Sequence, residues 1–255
     1  MTESIVVDNV SKRFTMQFHR TIKQMTIAAV RRQQLSDSFL AVNDVSFTVQ
    51  QGESIGLMGL NGSGKSTLLK LISGVMRPDT GTVLTRGRIA GLIGAGAGFH
   101  PQLTGRDNVY LNAAILGMTA AETKAKFDEI VDFADIGKFL DTQVGHYSSG
   151  MAARLGFSVA VHTHSDIFLA DEVLAVGDQP FKKKCMQLMQ ELKNDGRTLF
   201  FVSHSPGAVR RMCDRALVLE NGVLGFDGPV GEAVDYLKYD RDDTTPEDAE
   251  MGAEI

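Results

Sequence analysis

Apolar and polar positions alternate from Ser4 to Phe14, SIVVDNVSKRF, the period-two pattern of a strand with one buried face. Phe39–Gly59, FLAVNDVSFTVQQGESIGLMG, predicts two more strands, the second ending in a near-continuous apolar run before glycine. Such a run fits a strand buried on both faces of a parallel sheet. The period then lengthens. In STLLKLISGV, Leu68, Leu69 and Ile72 share one helical face and Gly74 is a stop signal. Pro78–Gly94 reads as turn, strand, turn, strand. From about Arg106 to Ala160 the spacing is helical, in RDNVYLNAAILGM, AAETKAKFDEIVDFADI and GMAARLGFSVAVH. Ser165–Val176, SDIFLADEVLAV, returns to a buried strand, PFKKKCMQLMQELKNDG is an amphipathic helix, and RTLFFVSHS is a further buried strand. RALVLENGVLGFDGP predicts a closing hairpin with Asn221-Gly222 as its turn. Strands and helices alternating around an all-helical insert predict an α/β fold, with a mainly parallel sheet and a helical subdomain over about 100–160.

Composition adds little to that outline, but charge placement adds a boundary. The 255 residues are 43% apolar and 22% charged, enough to bury a large core, and the formal net charge is −5. The last sixteen residues, DRDDTTPEDAEMGAEI, hold seven acids and one base, which leaves the body near neutral. One domain is therefore expected over 1–239, followed by an acidic tail over 240–255. The tail lacks apolar periodicity and is expected to be disordered and solvated, with a docking segment as the other reading. Cys185 and Cys213 have no metal-ligand spacing, and no signal peptide and reduced thiols are expected. No run reaches the roughly 18 to 20 apolar residues of a membrane span. If the protein works on a membrane, another polypeptide must supply the spans.

The chemistry concentrates at the ends of the buried strands. GLNGSGKS, Gly59–Ser66, fits G-x-x-x-x-G-K-[ST] and lies between a buried strand and a helix, the context that confirms a phosphate loop. Its glycines let the backbone N–H groups of Gly59, Asn61, Gly62, Ser63, Gly64 and the following Lys65, Ser66 and Thr67 curl around phosphates. Lys65 supplies a point charge and Ser66 can ligate Mg²⁺. Asp171 and Glu172 end the strand DIFLADE, Asp171 placed to hold Mg²⁺ through its hydration shell and Glu172 to polarise an attacking water. Alone they would be two acidic surface residues; beside a phosphate loop they are not. His204 ends the strand FFVSHS on the same carboxyl edge, where ligands of open α/β sheets bind, and is expected to contact a γ-phosphate. His19, His100, His146, His162 and His164 are read as structural; His162-x-His164 has no third ligand. GAGAGF, Gly94–Phe99, has the wrong spacing for a dinucleotide fingerprint and precedes proline rather than a helix. A second small-residue turn, Ser148-Ser149-Gly150, opens an apolar-periodic run and makes a second anion-binding helix start.

The order of phosphate loop, SSGM, LADE, AVGD and VSH resembles that of an ABC-transporter ATPase, over roughly residues 4 to 235. The resemblance implies a P-loop NTPase fold with a RecA-like parallel core, an antiparallel β subdomain and an inserted helical subdomain. It also accounts for the two anion-binding helix starts. In that family two domains pack head to tail, and each ATP lies between the phosphate loop of one and the signature turn of the other. Ser148, Ser149 and Gly150 would thus read the γ-phosphate of a nucleotide held by a second copy, and Asp178 matches the contact across that interface. Phe14 matches the aromatic that stacks on adenine, with Phe18 as a possible substitute. The sequence departs from the family pattern in two places. YSSGM stands where LSGGQ is usual, and Ala95 stands where a glutamine is expected; Gln102 lies too late to replace it. GAGFHPQLTGRDNVYLNAAILG, YSSGMAARLGFSVA and LADEVLAVGDQPFKKKC resemble the ATPases of exporters that move O-antigen, teichoic acid or lipid-linked galactan.

About 25 residues separate the first strand from LAVNDVSF, longer than a turn needs. Within 18–35, Ile22, Met25, Ala29 and Val30 form one face of a helix, with Arg20, Lys23 and Arg31 mostly off it. A basic amphipathic helix suits an anionic membrane surface; packing on its own domain is the other reading. The expected protein is the ATPase of a lipid-linked polysaccharide exporter, a homodimer at the cytoplasmic face of the plasma membrane. It would use ATP and Mg²⁺, sit beneath a separate transmembrane permease, and have no nucleic-acid partner. An importer or small-lipid exporter ATPase is the alternative within transport. A soluble ABC protein of DNA repair or translation would carry a long coiled-coil insert or tandem ATPase domains, and neither is expected here. No carbohydrate-binding domain is expected after the ATPase domain, so glycan selection would fall to the permease.

Overall fold

The computed structural model describes residues 2–17, 36–92, 98–171 and 178–237. Three apolar runs form its centre: β3 (Ser54–Met58), β6 (Ile167–Ala170) and β7 (Thr198–Val202), every residue of which is buried. Strands covered on both faces read as continuous apolar runs because neither face meets water. The pleat divides their side chains between two cores. Ile55, Leu57, Ile167, Leu169, Phe200 and Val202 face one way; Met58, Phe168, Ala170, Leu199 and Phe201 face the other. Phe168 and Phe200 are fully buried, worth about 1.5–3 kcal/mol each by transfer.

These strands belong to a six-stranded sheet of order β5-β6-β7-β3-β8-β9, with β5 Ile89–Leu92, β8 Arg215–Glu220 and β9 Val223–Pro229. Every pairing in it is parallel except the β8–β9 hairpin. Asn221 (φ 50°) and Gly222 (φ 83°) turn that hairpin with two positive φ values, as the Asn-Gly pair requires. A second, antiparallel sheet has the order β2-β1-β4, with β1 Glu3–Gln17, β2 Ser36–Gln50 and β4 Thr80–Thr85. Its apolar face, including Ile5, Val7, Val42 and Val49, closes one core together with Leu68, Leu69 and Ile72 of α1 (Lys65–Ile72). Arg215 ties the sheets together. It donates to the Thr48 carbonyl and the Glu53 carboxylate, both at 3.0 Å, and grips Asp227 at 2.6 and 2.7 Å.

The opposite core is closed by α5 (Gln179–Asn194), α6 (Pro206–Met212) and α7 (Val230–Leu237). The insert between β5 and β6 is helical, as expected: α2 (Gly105–Ile115), α3 (Ala120–Ala134) and α4 (Ser149–His162), with two short 3₁₀ turns before α4. Thr104 with Asp107, and Thr119 with Glu122, form reciprocal capping boxes that set the starts of α2 and α3. Helix α4 is shared between layers. Leu155 and Val159 pack into the helical insert, while Phe157, Ala160 and Val161 reach the core under the large sheet.

The antiparallel sheet, parallel core and helical insert agree with the sequence reading. Helices α6 and α7 go beyond it, and the strand expected over Ser165–Val176 is four residues long as far as Ala170. The expected helix over 18–35, the tail over 240–255, Phe18, His19, Ala95 and Glu172 lie outside the described residues.

Candidate functional site

The phosphate loop leaves β3 at Gly59 and enters α1 at Lys65, and at two of its glycines the path leaves no room for a side chain. Gly59 (φ 143°) runs against the Leu219 carbonyl and Gly64 (φ 105°) against the Ala41 carbonyl, so a Cβ at either would clash with backbone. Gly62 (φ 81°) faces open space. The loop is held from outside: Gly222 N–H, at the hairpin tip, donates to Ser63 O at 2.9 Å, and Asn43 N–H donates to Gly222 O at 2.8 Å. Lys65 is buried, and its ammonium donates to Gly59 O at 2.7 Å and Leu60 O at 3.1 Å. A positive charge is therefore fixed within the loop, at the N-terminus of a helix. Ser63 Oγ is buried with no hydrogen-bond partner among the described residues. Ser66 and Thr67, in the first turn of α1, are exposed and half-buried. A backbone cradle, a fixed ammonium and a helix N-terminus together fit a polyphosphate.

Strand register brings the other edge residues alongside. Leu57 pairs with Val202, and Phe201 with Ala170, so the ends of β3, β7 and β6 lie in one row. At about 4.8 Å between strands, Asp171 lies about 10 Å across the sheet from the end of β3. Asp171 is half-buried and His204 exposed. His204 occupies the tight link between β7 and α6, where Ser203 N–H donates to Leu57 O at 3.3 Å. Ser205 caps α6 by accepting from Ala208 N–H at 3.4 Å. Asp171 and Ser66 offer hard oxygen ligands of the kind Mg²⁺ takes.

The second helix start belongs to a different layer. Ser148 is the N-cap of α4, its hydroxyl accepting from Met151 N–H at 3.1 Å, with Ser149 and Gly150 in the first turn. Ser148 and Ser149 are exposed. Met151 packs onto the helical insert, whereas the phosphate loop packs on β2 and β8. Asp178 caps α5, accepting from Phe181 N–H at 3.3 Å, and the same oxygen accepts from Arg154 Nη2 at 2.7 Å. Arg154 was missed in the sequence. It sits one turn after Gly150, lies over the Phe181 ring at 5.0 Å and ties α4 to the start of α5.

Phe14 lies in β1, stacked on Phe39 of β2. Among the remaining histidines, His162 is structural: Nδ1 meets Ser158 O at 2.7 Å, the ring packs edge-on to Phe133, and burial pushes its pKa down. His100, His146 and His164 are exposed. Burial pushes both thiols, Cys185 and Cys213, up to about 12. No group of three or more metal-ligating side chains occurs among the described residues.

Comparison with known proteins gives the family. The family model described as ABC transporter matches residues 42–175. The chain is 43% identical to an O-antigen export system ATP-binding protein, RfbB, of Klebsiella pneumoniae, over 93% of this chain and 98% of that one. It is 48% identical to a teichoic acids export ATP-binding protein, TagH, of Bacillus anthracis, over 77% of this chain and 36% of that one. In fold it is similar to an ATP-binding cassette solved as a dimer in a post-hydrolysis state with ADP and Pi. That match has a TM-score of 0.71 at 23% identity, covering 89% of this chain and 98% of that one. The chain belongs to the ABC transporter family and is one of its ATP-hydrolysing cassettes.

Proposed function

We propose that this chain energises export of a lipid-linked polysaccharide, of the O-antigen, teichoic acid or galactan type, across the cytoplasmic membrane. The observation that carries the reading is the 43% identity to an O-antigen export ATP-binding protein over nearly the full length of both chains. No helix among the described residues is long and apolar enough to cross a membrane. A separate permease would supply the spans, with this chain bound at the cytoplasmic face.

The site residues then divide the work. The loop amides from Gly59 to Thr67 and the Lys65 ammonium hold the β- and γ-phosphates and neutralise charge that grows during transfer. Glu172 orients a water and takes its proton as the water oxygen bonds to the γ-phosphorus and the bond to the bridging oxygen breaks. His204 hydrogen-bonds the γ-phosphate from the neighbouring strand. Ser66 and Asp171 would hold Mg²⁺, which would supply positive charge to offset that of the phosphates. Ser148, Ser149 and Gly150 of a second copy, packed head to tail, close over the γ-phosphate, and Asp178 reaches across the interface. Two helix N-termini on one anion explain why one domain carries both.

The test reconstitutes the chain with its co-purified permease. ATP turnover should fall about 100-fold or more in Lys65→Ala and should rise when the cognate lipid-linked glycan is added to the wild type. Stimulation by amino acids or peptides but by no glycolipid would reject the export reading.

A further inference from the structure

Two phenyl rings stand on the strand pair that leads to the phosphate loop. Phe14 of β1 and Phe39 of β2 are cross-strand partners, their centroids 5.8 Å apart and their planes 26° from parallel. Offset stacking of this kind is favourable. Even so, Phe39 remains 48% exposed, Leu40 beside it 36%, and Phe14 is only half-buried. Apolar area left in water on this strand pair is an unfinished contact. Its position is specific. Two residues past Phe39, the Ala41 carbonyl lies against Gly64, the residue before Lys65. The ring pair therefore stands about 7 Å along β2 from the start of the phosphate-binding helix.

We propose that the base platform of this cassette is a pair of rings. Phe39 is a positioning residue: it backs one face of Phe14 and fixes that ring's plane, so that the opposite face takes the adenine. A lone exposed phenyl must be ordered when a base stacks on it, which weakens binding. A ring already held by a neighbour is ordered beforehand. The proposal rests on the reading of Phe14 as the base-stacking residue and extends it to a residue no motif contains.

Cross-strand aromatic pairs also stabilise sheets on their own, so the test must read the base rather than the fold. Binding of a non-hydrolysable ATP analogue and of inorganic tripolyphosphate is measured by calorimetry on the full chain. Phe39→Ala should weaken the analogue about three- to tenfold and leave tripolyphosphate unchanged, and Phe39→Tyr should restore the analogue. In a Phe14→Ala background, Phe39→Ala should add nothing. Equal loss for both ligands, no loss for either, or an undiminished effect without Phe14 would overturn the proposal. The nucleotide site is checked separately: the wild type must bind the analogue and Lys65→Ala must weaken it. Failure there removes the site reading itself, whatever Phe39 does.

Discussion

Asp178 separates a structural role from a functional one at a single carboxylate. One oxygen accepts both the Phe181 amide at the start of α5, at 3.3 Å, and the Arg154 guanidinium, at 2.7 Å. Losing an N-cap typically costs about 1 kcal/mol. The ion pair has one exposed partner, with Asp178 at 59% and Arg154 at 20%, so about 0.5 kcal/mol is a fair allowance. Asp178→Ala should therefore lose about 1.5 kcal/mol, a Tm drop of about 3–6 °C for a domain of this size. Asn caps as well as Asp, so Asp178→Asn should lose only the ion pair, about 1–2 °C. Thermal unfolding followed by circular dichroism measures both. ATP turnover at a temperature where all three proteins are folded then reads the second role. If Asp178 also meets a second copy through its charge, the Asn variant stays stable and still loses turnover. A Tm for Asn as low as that for Ala would refute the capping argument. Full turnover in the Asn variant would reduce Asp178 to a cap.

Three further outcomes follow from the structure. Gly62→Ala meets only the strain of a left-handed backbone, about 1–2 kcal/mol. Gly64→Ala adds a clash with the Ala41 carbonyl, so urea unfolding should show a clearly larger loss for Gly64. Because burial lowers the pKa of His162, the unfolded chain binds its proton more readily than the folded one. That stability contribution is complete above the unfolded value near 6.5 and is lost as pH falls below it. Stability measured between pH 5 and 7 should slope less in His162→Gln, and an unchanged slope would contradict the assignment. Cys185 and Cys213, with thiols pushed up to about 12, should resist a chromogenic disulfide reagent at pH 8 and react only in denaturant. A thiol that reacts in the native protein would show that its burial is wrong.

Much of the fold was legible because its constraints are local. Buried parallel strands must read as apolar runs, so β3, β6 and β7 stood out, and Asn221-Gly222 demands a two-residue turn. The phosphate loop was legible for the same reason, since its glycines answer to positive φ and close backbone approach at neighbouring positions. Helix α7 escaped because its face, Val230, Ala233, Val234 and Leu237, spans only eight residues, too few for a helical period to stand out, although Asp227-Gly228-Pro229 marks its start. What could not be read were pairings set by the register of distant segments. Phe14 meets Phe39 only because β1 and β2 pair in one register. The Gly222–Ser63 hydrogen bond exists only because the hairpin tip folds back on the loop. Asp178 illustrates both cases. Its cap was written locally, in Asp-Gln-Pro-Phe with proline in the first turn, while its bond to Arg154 required the packing of α4 against α5.

The central claim is a nucleotide site completed by a second copy, and sedimentation of Glu172→Gln with and without ATP and Mg²⁺ tests it most directly. With the carboxylate proposed to activate the attacking water neutralised, bound ATP should persist, and the protein should shift from monomer to dimer as ATP is added. Ser149→Arg in the same background should abolish the shift by placing a bulky cation at the signature turn. A protein that stays monomeric at saturating ATP, or dimerises equally with Ser149→Arg, would contradict the account.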